Sequence, residues 1–449
     1  MTGARLTIDE AKAFLDANPG VQWIDAFLFD MNGIRRGKRL RRSDLAGAVN
    51  SGIMMPTSVF IMDPLGNCIE ETGRLWETGD LDHQCHLLSG SLVPVPVGDG
   101  RHAQVVLTVE DKDELDPRTV LANQVERFAR DGQIPVAAVE LEFYVTRKGT
   151  NGSFLPHPPE GLSDDPSRPL TYGFEEMDTL SPFIDDIYRV CEAQGLAADA
   201  VMKESGPGQF EINLKHRADA VAAALDGLLL KRAVKAAARA HQLEATFMAK
   251  PHHDWPGSGM HVHLSLLDRS GLNLFAGDPI SPLFRHALGG LRETMADFMA
   301  IWAQSANAYR RYVPKAYVSM AAHWGFNNRT VALRIPRGNG SSTRIEHRVA
   351  GADANPYLVI AAMLAGISHG VANRVDPGPA VEGNAEAIEA PQLPTAWVNS
   401  LDRFERSSVV RNAFGASFQE VFSRLKGAER CSFERIVTPL DHLWYSRVS

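Results

Sequence analysis

The chain has 449 residues, of which 44% are hydrophobic and 22% are charged, as in a soluble globular protein. This length exceeds one ordinary core and predicts two domains. A net charge of -8 argues against nucleic acid as a general partner. The four cysteines form no CxxC pair, so we expect no disulfide framework and a reducing, cytoplasmic location.

The sequence favours neither export nor a membrane. The start, "MTGARLTIDEAKAF", has no basic segment followed by an apolar one, so we expect no signal peptide. The longest apolar run, around "YLVIAAMLAGI", is too short to span a bilayer and predicts a buried helix.

The first part of the chain predicts a small sheet domain. Thr7 and Glu10 form a capping box for a helix that runs to about Ala17. "VQWIDAFLFD" reads as a strand, Asn32–Gly33 as a turn, and "IRRGKRL" as the returning strand. Further short strands follow to about residue 110, so we place the first domain at residues 1–112.

The pattern then changes to a mixture of helices and strands, which predicts a second domain at residues 113–449. Asp116 suits a helix N-cap, Pro117 its first turn and Gly132 its C-terminal end. "VAAALDGLLLKRAVKAAARAH" predicts a long amphipathic helix. "NGSFLPHPPEGLSDDPSRPL" and "RVDPGPAVEGNAEAIEAPQLP" predict loops.

Several strands of this second part have one polar face. In "AVELEFYV", Glu140 and Glu142 point the same way because alternate residues of a strand share a face. The same alternation places together Gln209, Glu211 and Asn213; His261, His263 and Ser265; and Arg344, Glu346 and Arg348, with Arg334 on a less polar strand. Any one such face suits solvent exposure, but these carry carboxylates, histidines and arginines and hardly any lysine.

A cleft lined in this way needs cations, since unpaired buried carboxylates repel one another. Oxygen ligands with a single imidazole suit Mg²⁺ or Mn²⁺, and arginines suit phosphate or carboxylate oxygens. The combination favours phosphoryl transfer. A glycosidase-like acid/base pair is the weaker alternative, because it would not need so many further charged groups.

Other motifs point less clearly to a function. There is no Walker A motif, since "GIRRGK" is one residue short and follows a hairpin. The basic run from Arg35 to Arg42 suits a hairpin face or subunit contact better than RNA. "HQCH" lacks the second half of a zinc site, and "PHHD" suits a polar loop better than a metal site.

Across nearly its full length the chain resembles the glutamine synthetase family, and within it the branch that ligates glutamate to a polyamine, the γ-glutamylputrescine synthetases. The segments that carry this resemblance are "NGIRRGK", "PTSVFIMDPLGN", "VAAVELEFYV", "GPGQFEINL", "ATFMAKP", "GSGMHVHLS", "WGFNNRTVALRIP" and "HRVAGADANPYL". The resemblance implies an α+β fold with a small N-terminal β-grasp domain and a large catalytic domain on a curved antiparallel sheet flanked by helices. It also implies a homo-oligomer, commonly a dodecamer of two hexameric rings with active sites between subunits.

The implied reaction has two steps: ATP phosphorylates the γ-carboxylate of L-glutamate, and an amine then attacks γ-glutamyl phosphate. Two or more Mg²⁺ or Mn²⁺ ions per active site are implied. The matching metal ligands are Glu142, Glu204 and Glu211 for one site, and Glu140, His261 and Glu346 for the other. The matching nucleotide contacts are His263, Ser265, Arg334 and Arg344; the glutamate contacts are Arg311, Arg348 and the backbone around Gly257; and Arg329 matches the arginine that meets the transferred phosphate.

Departures from the family pattern bear on the amine. Ammonia-using members carry an aspartate near the position of Met55 and a glutamate near that of Tyr317, and both help to hold ammonium. Pro256 stands where true glutamine synthetases usually have asparagine, so the glutamate-side loop is expected to differ slightly.

We therefore predict an ATP-dependent carbon–nitrogen ligase of amine catabolism that uses a polyamine such as putrescine, with Tyr317 among the substrate contacts and no nucleic-acid or membrane partner. The alternatives are a glutamine synthetase, a ligase for another mono- or diamine, and a non-catalytic ring protein, which six intact ligands disfavour.

Overall fold

The structure is a computed structural model of the chain, and it describes residues 3–147, 156–163, 165, 170–338, 340–446 and 448. The helices are α1 Ile8–Ala17, α2 Leu45–Ser51, α3 Pro117–Arg130, α4 Glu175–Thr179, α5 Ser181–Ala193, α6 Ala220–Ala240, α7 Pro282–Thr294, α8 Met299–Trp302, α9 Pro356–Asn373, α10 Trp397–Arg406, α11 Ser408–Phe414, α12 Ala416–Glu434 and α13 Pro439–Tyr445. The strands are β1 Trp23–Phe29, β2 Arg35–Arg41, β3 Ile53–Pro56, β4 Asp82–Leu87, β5 Val93–Val95, β6 His102–Val109, β7 Ile134–Arg147, β8 Ala198–Lys203, β9 Gln209–Leu214, β10 Leu243–Thr246, β11 Met260–Leu267, β12 Trp324–Phe326, β13 Leu333–Ile335 and β14 Ile345–His347.

The N-terminal part is a six-stranded sheet in the order β2-β1-β6-β4-β3, with β5 paired to β6. The predicted capping box at Thr7 begins α1, and β1 and β2 form the predicted antiparallel hairpin. The sheet is mixed, because β1 and β6 run parallel. The basic strand β2 is mostly exposed, and Arg36 and Arg39 pair with Asp30 and Asp25. These ion pairs fit the expected hairpin face.

The larger sheet has eight strands in the order β12-β13-β14-β11-β7-β9-β8, with β10 paired to β7. Its pairs are antiparallel except β12 with β13. The polar-faced segments predicted from the sequence lie on β7, β9, β11, β13 and β14, and β7 sits between β11 and β9. The fold therefore brings these separate segments together.

Helix α9 is the predicted buried helix, and it packs against α3, α6 and α7. Its 18 residues are long and apolar enough to cross a bilayer, but 72% of them are buried in the protein, as in the core helix of a globular fold. Glycines allow helix α7 to pack closely against α9. A Cβ atom on Gly290 would come within 2.2 Å of the carbonyl oxygen of Gly366.

Buried polar contacts join the turn after β1 to the larger part of the protein. Asn355, the N-cap of α9, donates to the carbonyl oxygens of Asp30 and Met31 at 3.1 and 3.3 Å. Gln304 donates to the carbonyl oxygen of Asn32 at 3.1 Å. One large cluster of buried apolar side chains also includes residues of both sheets. The turn is thus fixed to the larger part of the protein.

The predicted division at residue 112 falls between β6 and α3 and stays a prediction. Asp116 caps α3 as predicted, and Gly132 follows the helix at φ +71°, a conformation that favours glycine. The first predicted loop lies partly outside the described residues. The second predicted loop, from Arg374, contains only a short 3₁₀ turn at Ala385–Ala387 as regular structure between α9 and α10.

Candidate active site

Strand pairing gathers acidic side chains at the centre of the larger sheet. Glu142 of β7 lies opposite Glu211 of β9, and Glu140 of β7 lies opposite His261 of β11. Leu141, between the two glutamates of β7, is fully buried on the other face. The predicted alternation is therefore present, and both glutamates of β7 point to one side.

Two histidines of β11 contact Glu140. Nδ1 of His261 lies 3.4 Å from Oε2 of Glu140 and 4.0 Å from a carboxylate oxygen of both Glu211 and Glu346. Nε2 of His263 lies 2.8 Å from Oε1 of Glu140. Two sets of ligand atoms each fall within 4.8 Å of one another: those of Glu140, Glu211 and His261, and those of Glu140, His263 and Glu346.

Negative charge is in excess beside these histidines. Burial raises the pKa of Glu204 to about 7, and the charge of Glu142 adds to this rise. Burial and the charges of Glu140, Glu142 and Glu204 raise the pKa of Glu211 well above its usual value. A divalent cation stabilises neighbouring carboxylates in their ionised form, which their mutual repulsion otherwise disfavours. A donor set of carboxylate oxygens with an imidazole therefore fits Mg²⁺ or Mn²⁺.

Glu346 lies between two arginines. Nη1 of Arg334 donates to Oε2 of Glu346 at 2.6 Å, and Nη1 of Arg348 donates to Oε1. Burial raises the pKa of Glu346, but Arg348, the two histidines of β11 and Arg334 outweigh it and lower the pKa to about 2. Nε of both arginines is buried without a hydrogen-bond partner in the described part of the chain, so each side chain retains a donor that an anion can use.

Glu142, which is matched to the same ion as Glu204 and Glu211, accepts two hydrogen bonds. Oε2 of Glu142 accepts hydrogen bonds from the backbone N–H of Gly259 at 2.8 Å and from Nε2 of Gln209 at 3.4 Å. Within the described ranges, Glu142 and Glu204 belong to neither of the two sets above. The assignment of Glu142, Glu204 and Glu211 to one ion stays a prediction.

Arg311 packs against the loop that precedes β11. It is 3% exposed, and its Nη1 donates to the carbonyl oxygen of Val349 at 3.0 Å. A Cβ atom on Gly257 would lie 2.3 Å from Cγ of Arg311, so only glycine leaves room for this side chain. Two of the residues matched to glutamate binding, Gly257 and Arg311, are therefore in direct contact.

The other predicted residues lie in several places. Ser265 is on β11 two residues beyond His263, and Arg329 is exposed in the loop before β13 while close enough to lower the pKa of Glu204. Tyr317 is 69% exposed, in a segment whose Lys315 N–H donates to Glu386 at 2.7 Å. Met55 is buried in β3 of the smaller sheet, not among the carboxylates.

Tyr144 was not singled out from the sequence. Its hydroxyl lies 2.8 Å from the carbonyl oxygen of Pro256 and 3.1 Å from Oε1 of Gln209. It therefore supports the glutamate-side loop and the strand that carries Glu211. Alternation along β7 places Tyr144 on the face of Glu140 and Glu142, so the same pattern was sufficient to find it.

A third set of close ligand atoms belongs to His252, His253 and Asp254. His253 and Asp254 are exposed, and Nε2 of His253 lies 2.8 Å from Oδ2 of Asp254. This arrangement fits the polar loop that the sequence favoured for "PHHD".

The chain is similar to known proteins over most of its length. The family described as "Glutamine synthetase, catalytic domain" matches residues 114–445. Gamma-glutamylputrescine synthetase PuuA of Escherichia coli (strain K12) is 39% identical over 97% of this chain and 94% of its own. Glutamate–isopropylamine ligase of Pseudomonas sp is 32% identical over 88% of this chain and 89% of its own. A solved structure, the GmaS/ADP complex in conformation 1, superposes with a TM-score of 0.84 at 25% identity, over 97% of this chain and 99% of that one.

The match to the catalytic domain covers most of the chain, and the similarity to PuuA extends over almost all of it. The chain belongs to the glutamine synthetase family.

Proposed function

We propose that this protein ligates the γ-carboxylate of L-glutamate to an amine with ATP, through γ-glutamyl phosphate, and that a polyamine such as putrescine is the favoured acceptor. The observation that carries the proposal is the 39% identity to a γ-glutamylputrescine synthetase over 97% of the chain. Its biological role would be amine catabolism and nitrogen assimilation in the cytoplasm.

Divalent cations, Mg²⁺ or Mn²⁺, would be held by the six matched ligands: Glu140, Glu142, Glu204, Glu211, His261 and Glu346. When bound they would supply charge neutralisation for the phosphates and carboxylates. Glu140 and Glu142 count as catalytic residues because they would hold the ions at the reacting groups. The close sets described above support four of these six ligands: Glu140, Glu211, His261 and Glu346.

Arginines would hold the anionic substrates. Arg348 and Arg311, with the backbone around Gly257, would bind glutamate, and Arg329 would contact the phosphoryl group during transfer. His263, Ser265, Arg334 and Arg344 would contact the nucleotide. The Nε atoms of Arg311, Arg334 and Arg348 have no hydrogen-bond partner among the described residues, which supports these roles, since each is a buried donor that a bound anion would satisfy.

The amine site would favour an organic amine over ammonium. Ammonium is small and depends on adjacent carboxylates, whereas a longer amine can also be held through its chain and its distal charge. Met55 and Tyr317 replace two such carboxylates. Tyr317 is largely exposed in this chain, in agreement with a pocket that a neighbouring subunit completes.

We also propose that the chain assembles into a ring oligomer, most simply two stacked hexamers, and that its N-terminal sheet is a β-grasp domain. The C-terminal segment supports association, because Leu443 is 77% and Trp444 62% exposed. Large apolar side chains exposed in a group commonly mark an interface.

The test is ADP release by enzyme, ATP, Mg²⁺ and glutamate with a panel of amines that includes ammonium, putrescine, isopropylamine and ethanolamine. We expect putrescine to give the highest kcat/KM. Faster turnover with ammonium than with every organic amine would refute the polyamine proposal and favour a glutamine synthetase. No ADP release with any amine would support a non-catalytic ring protein.

A further inference from the structure

Glu204 lies on the turn that connects β8 to β9. Its backbone N–H donates to the carbonyl oxygen of Gln209 at 2.9 Å, and the N–H of Gln209 donates to that of Gly206 at 3.0 Å. Glu204 itself therefore sits on a short connection, where its orientation depends on how the turn is supported.

A buried lysine supports this turn from inside. The side chain of Lys203 is 1% exposed. Its Nζ donates to the carbonyl oxygen of Gly206 at 2.8 Å and to that of Glu204. One ammonium group thus holds two peptide groups of the turn, including the one that directly follows Glu204.

A carboxylate from α4 completes the support. Oε2 of Glu176 lies 3.5 Å from Nζ of Lys203 and accepts a hydrogen bond from the N–H of Gly208 at 3.0 Å. The preceding segment contacts the turn twice more: the N–H of Tyr172 donates to the carbonyl oxygen of Lys203 at 3.0 Å, and Thr171 donates to Ser205 at 3.1 Å.

A buried ion pair is costly to desolvate, and an apolar pair of similar volume is often equally stable. This pair does something that an apolar pair cannot, because its donors and acceptor hold backbone groups on both sides of the turn. We propose that Lys203 and Glu176 are positioning residues that orient Glu204 for metal binding. This inference rests on the proposed function, in which Glu204 is a metal ligand.

The test measures Mn²⁺ binding by Lys203→Met, by titration calorimetry on the full-length protein without nucleotide. Loss of a residue that orients a metal ligand typically weakens metal affinity by about 10- to 100-fold. We expect a loss of this size, and we expect saturating Mn²⁺ to restore most of the ligase turnover. The matched control is Lys12→Met on the exposed face of α1, which should leave both quantities unchanged.

A double variant, Lys203→Met with Glu176→Leu, separates positioning from stability. Replacing both charges removes the unpaired buried group that the single variant leaves, so its melting temperature should return toward that of the wild type. The Mn²⁺ affinity should stay low, because methionine cannot donate to the two carbonyl groups. Recovery of both the melting temperature and the Mn²⁺ affinity in the double variant would overturn the proposal.

The outcomes also distinguish this inference from the proposed function. Equal Mn²⁺ affinity in wild type and Lys203→Met overturns the positioning role and leaves the ligase proposal standing. Weakened binding in the variant, with no turnover of any amine by the wild type, supports positioning and refutes the ligase. A wild type that binds no Mn²⁺ overturns the positioning role and the metal site together.

Discussion

Arg344 donates a hydrogen bond from Nε to Nδ1 of His263 across 3.1 Å. Because Nδ1 accepts this bond, the ring proton lies on Nε2, which donates to Glu140 at 2.8 Å. The imidazole is therefore fixed between a guanidinium group and a carboxylate. Arg344 and His263, both matched to the nucleotide, are in this way connected to Glu140, which is matched to a metal ion.

Arg344→Gln should weaken the interaction of the enzyme with ATP. A hydrogen bond to a charged group contributes about 1.5–3 kcal/mol, which corresponds to about a 10-fold or larger rise in the KM for ATP. Steady-state kinetics at saturating glutamate and amine measure this rise, with Arg130→Gln at an exposed position of α3 as the control. An unchanged KM for ATP would argue against a nucleotide role for Arg344.

Glu140→Ala should abolish ligation while leaving the fold intact. Glu140 contacts both histidines of β11 and belongs to both sets of close ligand atoms, so its loss disturbs the whole metal-binding face. We expect activity to fall by about 100-fold or more, since even residues behind the ligands cost 10- to 100-fold. Circular dichroism should show an unchanged spectrum. Retained activity would show that this carboxylate is dispensable.

Gly257→Ala should raise the KM for glutamate. The added methyl group would lie 2.3 Å from Cγ of Arg311 and 2.9 Å from the carbonyl oxygen of Ala249, so either the loop or the arginine must move. The control is Gly47→Ala on α2, where a Cβ atom meets nothing within 4 Å. Kinetics with glutamate as the varied substrate should separate the two variants, and identical values would place glutamate elsewhere.

His347→Phe should change how stability depends on pH. Burial, with the charges of His261 and Arg311, lowers the pKa of His347 to about 3, and its two ring nitrogens have no hydrogen-bond partner among the described residues. The ring packs against Trp302 at a centroid distance of 4.3 Å. The folded state therefore holds the neutral imidazole.

The unfolded chain takes up this proton near pH 6.5, so the stability that the neutral ring contributes is present above pH 6.5 and is lost as pH falls toward 3. Relative to its difference from wild type at pH 8, the variant should gain about 2 kcal/mol at pH 5. Urea unfolding at both values measures this gain, with exposed His442→Phe as the control. A difference that does not vary with pH would contradict the assignment.

The sequence predicted the elements well where local patterns are strong. The capping residues of α1 and α3, the β1–β2 hairpin and the alternation along β7 all depend on neighbouring residues, and each has the expected form. The polar faces of five strands were predicted separately, and their convergence into one cleft was inferred from their shared chemistry. The pairing order that brings them together depends on contacts between distant residues.

Two features of the site could not be predicted from the alternation of polar and apolar residues. Lys203 and Glu176 lie on a strand end and a short helix, and nothing in their local sequence indicates that they meet. The grouping of ligands also depends on the distances between side chains of different strands, which no local pattern gives. Family resemblance named the residues but does not give these distances.

The turn after β1 has a consequence for how the chain loses its structure. Asn355 and Gln304 hold residues 30–32 against the larger part of the protein through buried hydrogen bonds, and one cluster of buried apolar side chains includes residues of both parts. The N-terminal sheet therefore cannot open without exposing the interior of the rest. Heat should melt both parts in one cooperative transition, and a fragment that ends at residue 112 should not be stable alone.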